Sequence, residues 1–141
     1  MITQTLTTAF KQNCLSQLEN FTASSPYTYK IALYTALANL DNTTTTYTTV
    51  GEVVGTGYTA GGQILTILPV ASNTVANTSY VSFASAVWTG ASFTCRGALI
   101  YNATTGAAVC VLNFGSDKTA SNTFTVTFPA DDASNAVIRF S

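Results

Sequence analysis

From Tyr27 to Ser141 the chain repeats with a period of two, and that alternation limits the folds open to it. In Tyr29-Lys30-Ile31-Ala32-Leu33-Tyr34-Thr35-Ala36-Leu37, the residues Ile31, Leu33 and Leu37 fall on one face and Lys30, Tyr34 and Ala36 on the other. Successive side chains of a strand point to opposite sides, so this run predicts a strand. The same reading covers Gln63–Leu68, Tyr80–Trp88, Phe93–Tyr101, Ala107–Phe114, Thr123–Phe128 and Ala136–Phe140, each closed by Gly, Pro, Asn or Ser, with a possible further strand at Tyr47–Val53. Helix-spaced patterns do not recur between the runs, which argues against a parallel α/β sheet. Short strands at close intervals predict a mainly β chain, an antiparallel β-sandwich or a jelly-roll-like domain. Asn102-Ala103-Thr104-Thr105-Gly106 reads as a hairpin connection with Gly supplying a positive φ, so the runs that flank it should be antiparallel neighbours.

The first segment has another period. Leu6, Phe10, Cys14 and Leu18 recur every four residues, Leu15 and Phe21 fill the same stripe, and Gln4, Lys11, Gln12, Gln17 and Glu19 fall mostly elsewhere. One N-terminal amphipathic helix is expected over roughly Thr5–Asn20, capped by Thr3 or Thr5 and ended by Ser24-Ser25-Pro26. With 141 residues the chain has the size of one domain, read as residues 1–25 for helix and connector and 26–141 for the sandwich.

Charged residues are only 8% of the chain, so its surface must be polar through Thr, Ser and Asn. Net charge is −1 and no run of Lys or Arg occurs, which leaves no electrostatic footprint for nucleic acid. No apolar run approaches the roughly 20 residues that span a bilayer, and Met1-Ile2-Thr3-Gln4-Thr5 lacks the basic start and apolar core of a signal peptide. A soluble protein with no membrane partner is expected. Cys14, Cys95 and Cys110 are odd in number and widely spaced, and read as small buried hydrophobes in a reducing cytosol.

The chain contains no histidine, which removes the commonest general base and the commonest zinc ligand. Its six carboxylates, Glu19, Asp41, Glu52, Asp117, Asp131 and Asp132, are scattered over helix, loops and one pair, where an acid/base couple needs two on rigid elements across one cleft. No catalytic residue, metal or cofactor is expected. Asp131-Asp132, with Ser134 and Asn135, lacks the ligand spacing of a calcium loop and reads as a solvated turn. Gly55-Thr56-Gly57 and Gly61-Gly62 lack the Lys and the helix of a phosphate loop and read as a turn or bulge. Trp88, Tyr34, Tyr47, Tyr58 and Tyr101 would suit a sugar-stacking platform only if exposed in a row; in a core or at a sheet rim they would pack. Arg96 lies inside an apolar run, and a buried guanidinium needs a carboxylate. Glu52 is its expected partner, locking the long Asn39–Gly62 loop to the sheet; the alternative is an Arg96 that points to solvent. That loop exceeds the usual length in compact domains and is the leading candidate for a contact arm.

Four stretches carry a resemblance: Tyr29-Lys30-Ile31-Ala32-Leu33-Tyr34-Thr35; Glu52-Val53-Val54-Gly55-Thr56-Gly57-Tyr58-Thr59-Ala60-Gly61-Gly62; Arg96-Gly97-Ala98-Leu99-Ile100-Tyr101-Asn102; and Phe124-Thr125-Val126-Thr127-Phe128-Pro129. Together they resemble a family of small structural proteins encoded among the virion genes of tailed bacteriophages, over most of the chain after the helix. The resemblance implies a particle component made in the host bacterial cytoplasm, with no catalytic residues to carry over. A capsid decoration or cement protein, binding the major capsid protein and bridging capsomers, is the first expectation. A tail, neck, baseplate or fibre-associated module, contacting a receptor or carbohydrate, is the alternative. Self-association is expected, as a trimer first and a dimer next. The surfaces expected to make contact are the helix, through Phe10 and Leu18, and the arm, through Tyr47 and Tyr58.

Overall fold

A computed structural model describes residues 1–141. In chain order it contains β1 (Thr5–Leu6), α1 (Thr8–Leu15), β2 (Tyr29–Tyr34), β3 (Gln63–Ile64), β4 (Ala71–Asn73), β5 (Thr78–Val81), β6 (Ala86–Trp88), β7 (Phe93–Asn102), β8 (Ala108–Ala120), β9 (Phe124–Val126) and β10 (Ile138–Phe140). A five-stranded sheet has the order β1-β8-β7-β2-β3, and every neighbour is antiparallel. Facing it are a three-stranded sheet, β10-β5-β4, and a two-stranded one, β6-β9. The chain is mainly β and antiparallel, with one short N-terminal helix, as its alternation predicts.

Two bent ribbons connect the layers. Strands β7 and β8 pair down to Phe93–Ala120, the pairing continues across the corner where Ala91 N donates to Asn122 O (2.6 Å), and it resumes as Trp88–Phe124 in β6 and β9. In the second ribbon, Leu68 N donates to Ser82 O and Ala84 N to Thr66 O before the chain enters the β4–β5 hairpin. The expected strand Tyr80–Trp88 is therefore two strands, because its first half pairs with β4 and β10 and its second with β9. Gln63–Leu68 likewise divides, pairing with β2 at Gln63–Ile64 and crossing to the other layer after that.

Between the layers lies the main core, with Phe10, Tyr29, Ile31, Leu33, Phe83, Trp88, Ile100, Val109 and Ile138 among its buried members. A second cluster, including Ile2, Ala32, Tyr34, Leu40, Leu99, Tyr101 and Val111, occupies the opposite face of the five-stranded sheet. Strand β2 is consequently buried on both faces, and Ala32 and Tyr34 are as enclosed as Ile31 and Leu33. At the register break between Cys95 and Gly97, where β7 advances two residues against the five of β8 from Lys118 to Asn113, the side-chain parity of β7 reverses, so that Phe93 and Cys95 before it and Ala98 and Ile100 after it all reach the main core. At the hairpin between β7 and β8, Gly106 adopts φ +83° and Asn102 N donates to Ala107 O at 2.8 Å, as the sequence requires.

The helix is shorter than its period suggests. Thr5 and Leu6 are used as β1, paired with Val111 and Cys110, so the helix starts at Thr8 and Thr7 caps it by accepting from Phe10 N (3.1 Å). It ends at Leu15. Gln17 takes a left-handed φ of 59°, with Gln17 N donating to Cys14 O and Leu18 N to Asn13 O, the paired bonds that close a helix C-terminus. Phe10 is its buried anchor, while Leu15 is 89% exposed.

Candidate functional site

The Asn39–Gly62 arm crosses one face of the five-stranded sheet. It meets the start of β8 where Ala108 N donates to Thr45 O (2.9 Å), and it reaches the outer side of β2 where Val53 N donates to Leu33 O (2.9 Å). Because it runs across the strands, Tyr47–Val53 forms isolated bridges, Thr46 to Ala107 before it and Tyr34 to Glu52, and no regular strand. Glu52, only 8% exposed, fixes the arm. Its carboxylate accepts from Tyr58 Oη and Tyr47 Oη, both at 2.6 Å, and from Gly61 N at 2.7 Å. Tyr58 Oη in turn accepts from Leu33 N (2.9 Å), Tyr101 Oη donates to Gly61 O (2.8 Å), and Tyr47 stacks on Tyr101 at 4.7 Å. A carboxylate held by three donors is the strong case of a buried hydrogen-bond centre. Gly62 completes the closure: with φ +71°, a β-carbon there would lie 1.8 Å from Ile31 O.

The expected pair between Glu52 and Arg96 does not form. Arg96 lies at the β7–β8 register break, turned toward solvent, where its Nη1 meets Asp117 Oδ1 at 3.1 Å. Glu52 has no unsatisfied oxygen left for a guanidinium. The arm is locked to the sheet, as expected, but by phenols.

A second carboxylate, which sequence reading passed over, does the same for the N-terminal segment. Glu19 accepts from Tyr29 Oη (2.6 Å) and Asn102 Nδ2 (3.2 Å), and Asn13 Nδ2 approaches its other oxygen at 3.4 Å. Phe21 stacks on Tyr29 at 4.5 Å in the same place. The only signal for it was a Glu set off the apolar stripe of the helix.

Of the residues expected to make contacts, Phe10 is fully buried in the main core, packed on Phe21 and Phe140, and Tyr47 and Tyr58 are half-buried with their hydroxyls turned inward to Glu52. Leu18 alone of the four is well exposed, at 52%. Trp88, Tyr34 and Tyr101 are buried, so the aromatics do not line up on a surface. Asp132 spends its oxygens on Ser134 N, Asn135 N and the Asn135 amide, and Asp41 on Thr43 N and Oγ1; these bonds hold both carboxyls below their ordinary range. Cys95 and Cys110 are buried free thiols, each pushed up to about 12 by desolvation, and Cys14 is half-buried and free.

What the arm presents outward is apolar. Leu37 lies in the turn closed by Ala38 N and Thr35 O, and Val50 in the turn closed by Glu52 N and Thr49 O. The turns adjoin so closely that a β-carbon on Gly51 would sit 2.7 Å from Ala38 Cα. Met1 lies beside them, its amine donating to Ala38 O at 2.9 Å. Val54 follows Val53 on the outer side of β2, and Ile64 continues that edge in β3. Leu37, Val50, Val54 and Ile64 are 89, 74, 96 and 69% exposed. No Lys or Arg occurs between Lys30 and Arg96, so this rim is built from a span with no basic side chain, and its two acids, Asp41 and Glu52, are already hydrogen-bonded. A run of exposed aliphatics along one edge is the usual mark of a surface that meets another protein.

No helix is long and apolar enough to cross a membrane. Compared with protein-family models, curated proteins and solved structures, the chain matches none.

Proposed function

We propose that this chain is a non-enzymatic structural protein of a tailed-phage virion, a capsid decoration or cement subunit that binds the major capsid protein on the outer shell and bridges capsomers. The observation that carries the reading is the aliphatic rim of Leu37, Val50, Val54 and Ile64. The residues that shape this rim belong to the stretches that resemble virion proteins: Glu52, Tyr58, Gly61 and Gly62 fix the arm, and Tyr29–Thr35 is the strand it docks on. Four such side chains offer roughly 400 Å² of apolar surface, about half of what one partner contributes to a specific interface. Many weak copies on a symmetric shell then hold by number. Five of the six carboxylates are engaged in hydrogen bonds that shape turns, the arm, the N-terminal segment or the Arg96 contact, which favours a structural role over acid/base chemistry.

The test is reconstitution on shells assembled without this protein. Wild-type protein should bind in hundreds of copies, and Val54→Asp or Leu37→Asp, both at solvent positions, should reduce occupancy at least about tenfold while the fold is kept. Absence of shell binding, or variants that bind as well as wild type, would overturn the reading. A copy number of a few to a few dozen per virion would move the protein to the neck or tail.

A further inference from the structure

The main core is left open on one side. Leu112, Phe114, Phe124, Phe128 and Val137 pack against it yet stay half-buried, and they line two adjoining hollows, of about 560 and 260 Å³, that share Phe114, Val126 and Thr127. Together the hollows form one groove along the side of the sandwich, between β8 in one layer and β9 in the other. The β9 wall has an unpaired edge. Its only neighbour is β6, and outside that pairing no hydrogen bond involves the main chain from Thr123 to Pro129. Alternate N–H and C=O groups on the far side of β9 therefore have no partner. Side chains alternate along the same run: Thr123, Thr125 and Thr127 are exposed, while Phe124, Val126 and Phe128 turn toward the core.

Three charged side chains line the groove, Asp117, Lys118 and Arg139. Asp117 is held by Arg96 at 3.1 Å, and Arg139 donates to Ser134 O in the field of Asp132. Lys118 is different. It stands opposite Cys95, a member of the main core, so its side chain leaves β8 on the face toward the groove. Its ammonium donates to Ser116 Oγ at 3.0 Å and meets no carboxylate. An apolar floor, a free strand edge on one wall and an uncompensated cation at the rim fit an extended peptide that brings main-chain partners, alternate apolar side chains and an acid. A small apolar ligand would fill the floor and leave the edge groups unpaired. Lysine and proline on an edge turn away strands that do not match, and Lys118 and Pro129 flank this one.

We propose that the groove takes an extended segment of another protein, which pairs along the free edge of Thr123–Phe128, lays alternate apolar side chains on Phe114, Phe124 and Phe128, and sets a carboxylate against Lys118. The segment adds a strand beside β9 and covers the open side of the core. This site lies apart from the aliphatic rim and does not depend on shell attachment: a protein that fails to bind shells would leave it standing.

Selection from a library of random peptides about twelve residues long, with the purified protein as bait, tests it. Enriched sequences should alternate apolar and polar residues and carry an Asp or Glu. Synthetic copies of them should slow amide exchange at Thr123–Phe128 of the unmodified protein. Lys118→Glu, at an exposed position, should weaken their binding at least about tenfold with an unchanged circular dichroism spectrum, and replacing the peptide's acid by Lys should recover most of that loss. No enrichment, sequences without alternation or an acid, protection elsewhere such as at the rim, or equal binding to Lys118→Glu would overturn the proposal. So would self-association of the unmodified protein that protects Thr123–Phe128, which would give the groove to a second copy.

Discussion

Removing the Glu52 side chain would leave the Tyr47 and Tyr58 hydroxyls and Gly61 N without their acceptor in a place water scarcely reaches. Each donor stranded near the interior costs on the order of 1 kcal/mol or more, so Glu52→Ala should lose about 3 kcal/mol of stability in urea titrations. Arg96→Ala, which breaks an exposed pair with Asp117, should cost under about 1 kcal/mol. The double variant should lose the sum, because the two side chains share no partner. A coupling above about 0.5 kcal/mol would contradict the separation of the two sites. Sequence offered Glu52 as the partner of a buried Arg96, with a solvent-facing Arg96 as the alternative, and the structure has the alternative. Local alternation left both placements of Arg96 open, and what decides between them is the register break with β8 between Cys95 and Gly97, which only the distant partner strand reveals.

The same distinction between local and distant pairing holds at the level of elements. Strand β2, strands β7 and β8 and the hairpin joining them were legible because their periodicity and turn residues are local. The division of Tyr80–Trp88 was not, since both halves alternate and only the choice of distant partner separates β5 from β6. The early end of α1 was hidden for another reason: Gln17, a good helix former, takes the left-handed position that glycine usually fills. That position costs a residue with a β-carbon about 1 kcal/mol, and Gln17 is exposed, with no side-chain contact to lose in a hydrogen bond. Gln17→Gly should therefore raise stability by roughly 0.5–1 kcal/mol, read as a higher urea midpoint at unchanged slope. A lower midpoint would mean that the connector does not depend on this turn.

Taken as a whole, the molecule is a sheet covered on both sides, by strands on one face and by an arm on the other, and its candidate contact rim was invisible in sequence because Tyr47 and Tyr58 of the arm turn their hydroxyls inward while Val50 and Val54 face outward beside a buried Val53. This arrangement encloses titrating groups that ionise at high pH. Burial raises the phenols of Tyr29, Tyr34, Tyr47, Tyr58 and Tyr101 above 10.0, aided by Glu19 for the first and Glu52 for the rest, and it raises the Cys95 and Cys110 thiols from 9.0 to about 12. The folded chain thus keeps protons that the unfolded chain releases, so the stability these groups contribute is full below about pH 9 and falls as pH climbs from there toward the folded values. Cys95 and Cys110, at 0 and 2% exposure, should each contribute a slope of about 1.4 kcal/mol per pH unit inside that window. Urea midpoints measured under reducing conditions should stay level from about pH 7 to 9 and then drop steeply, with tyrosinate absorbance appearing in step with unfolding. If tyrosinate instead appears near its ordinary pH while the midpoint holds, the phenols are ionising in the folded state and are not enclosed between the arm and the sheet.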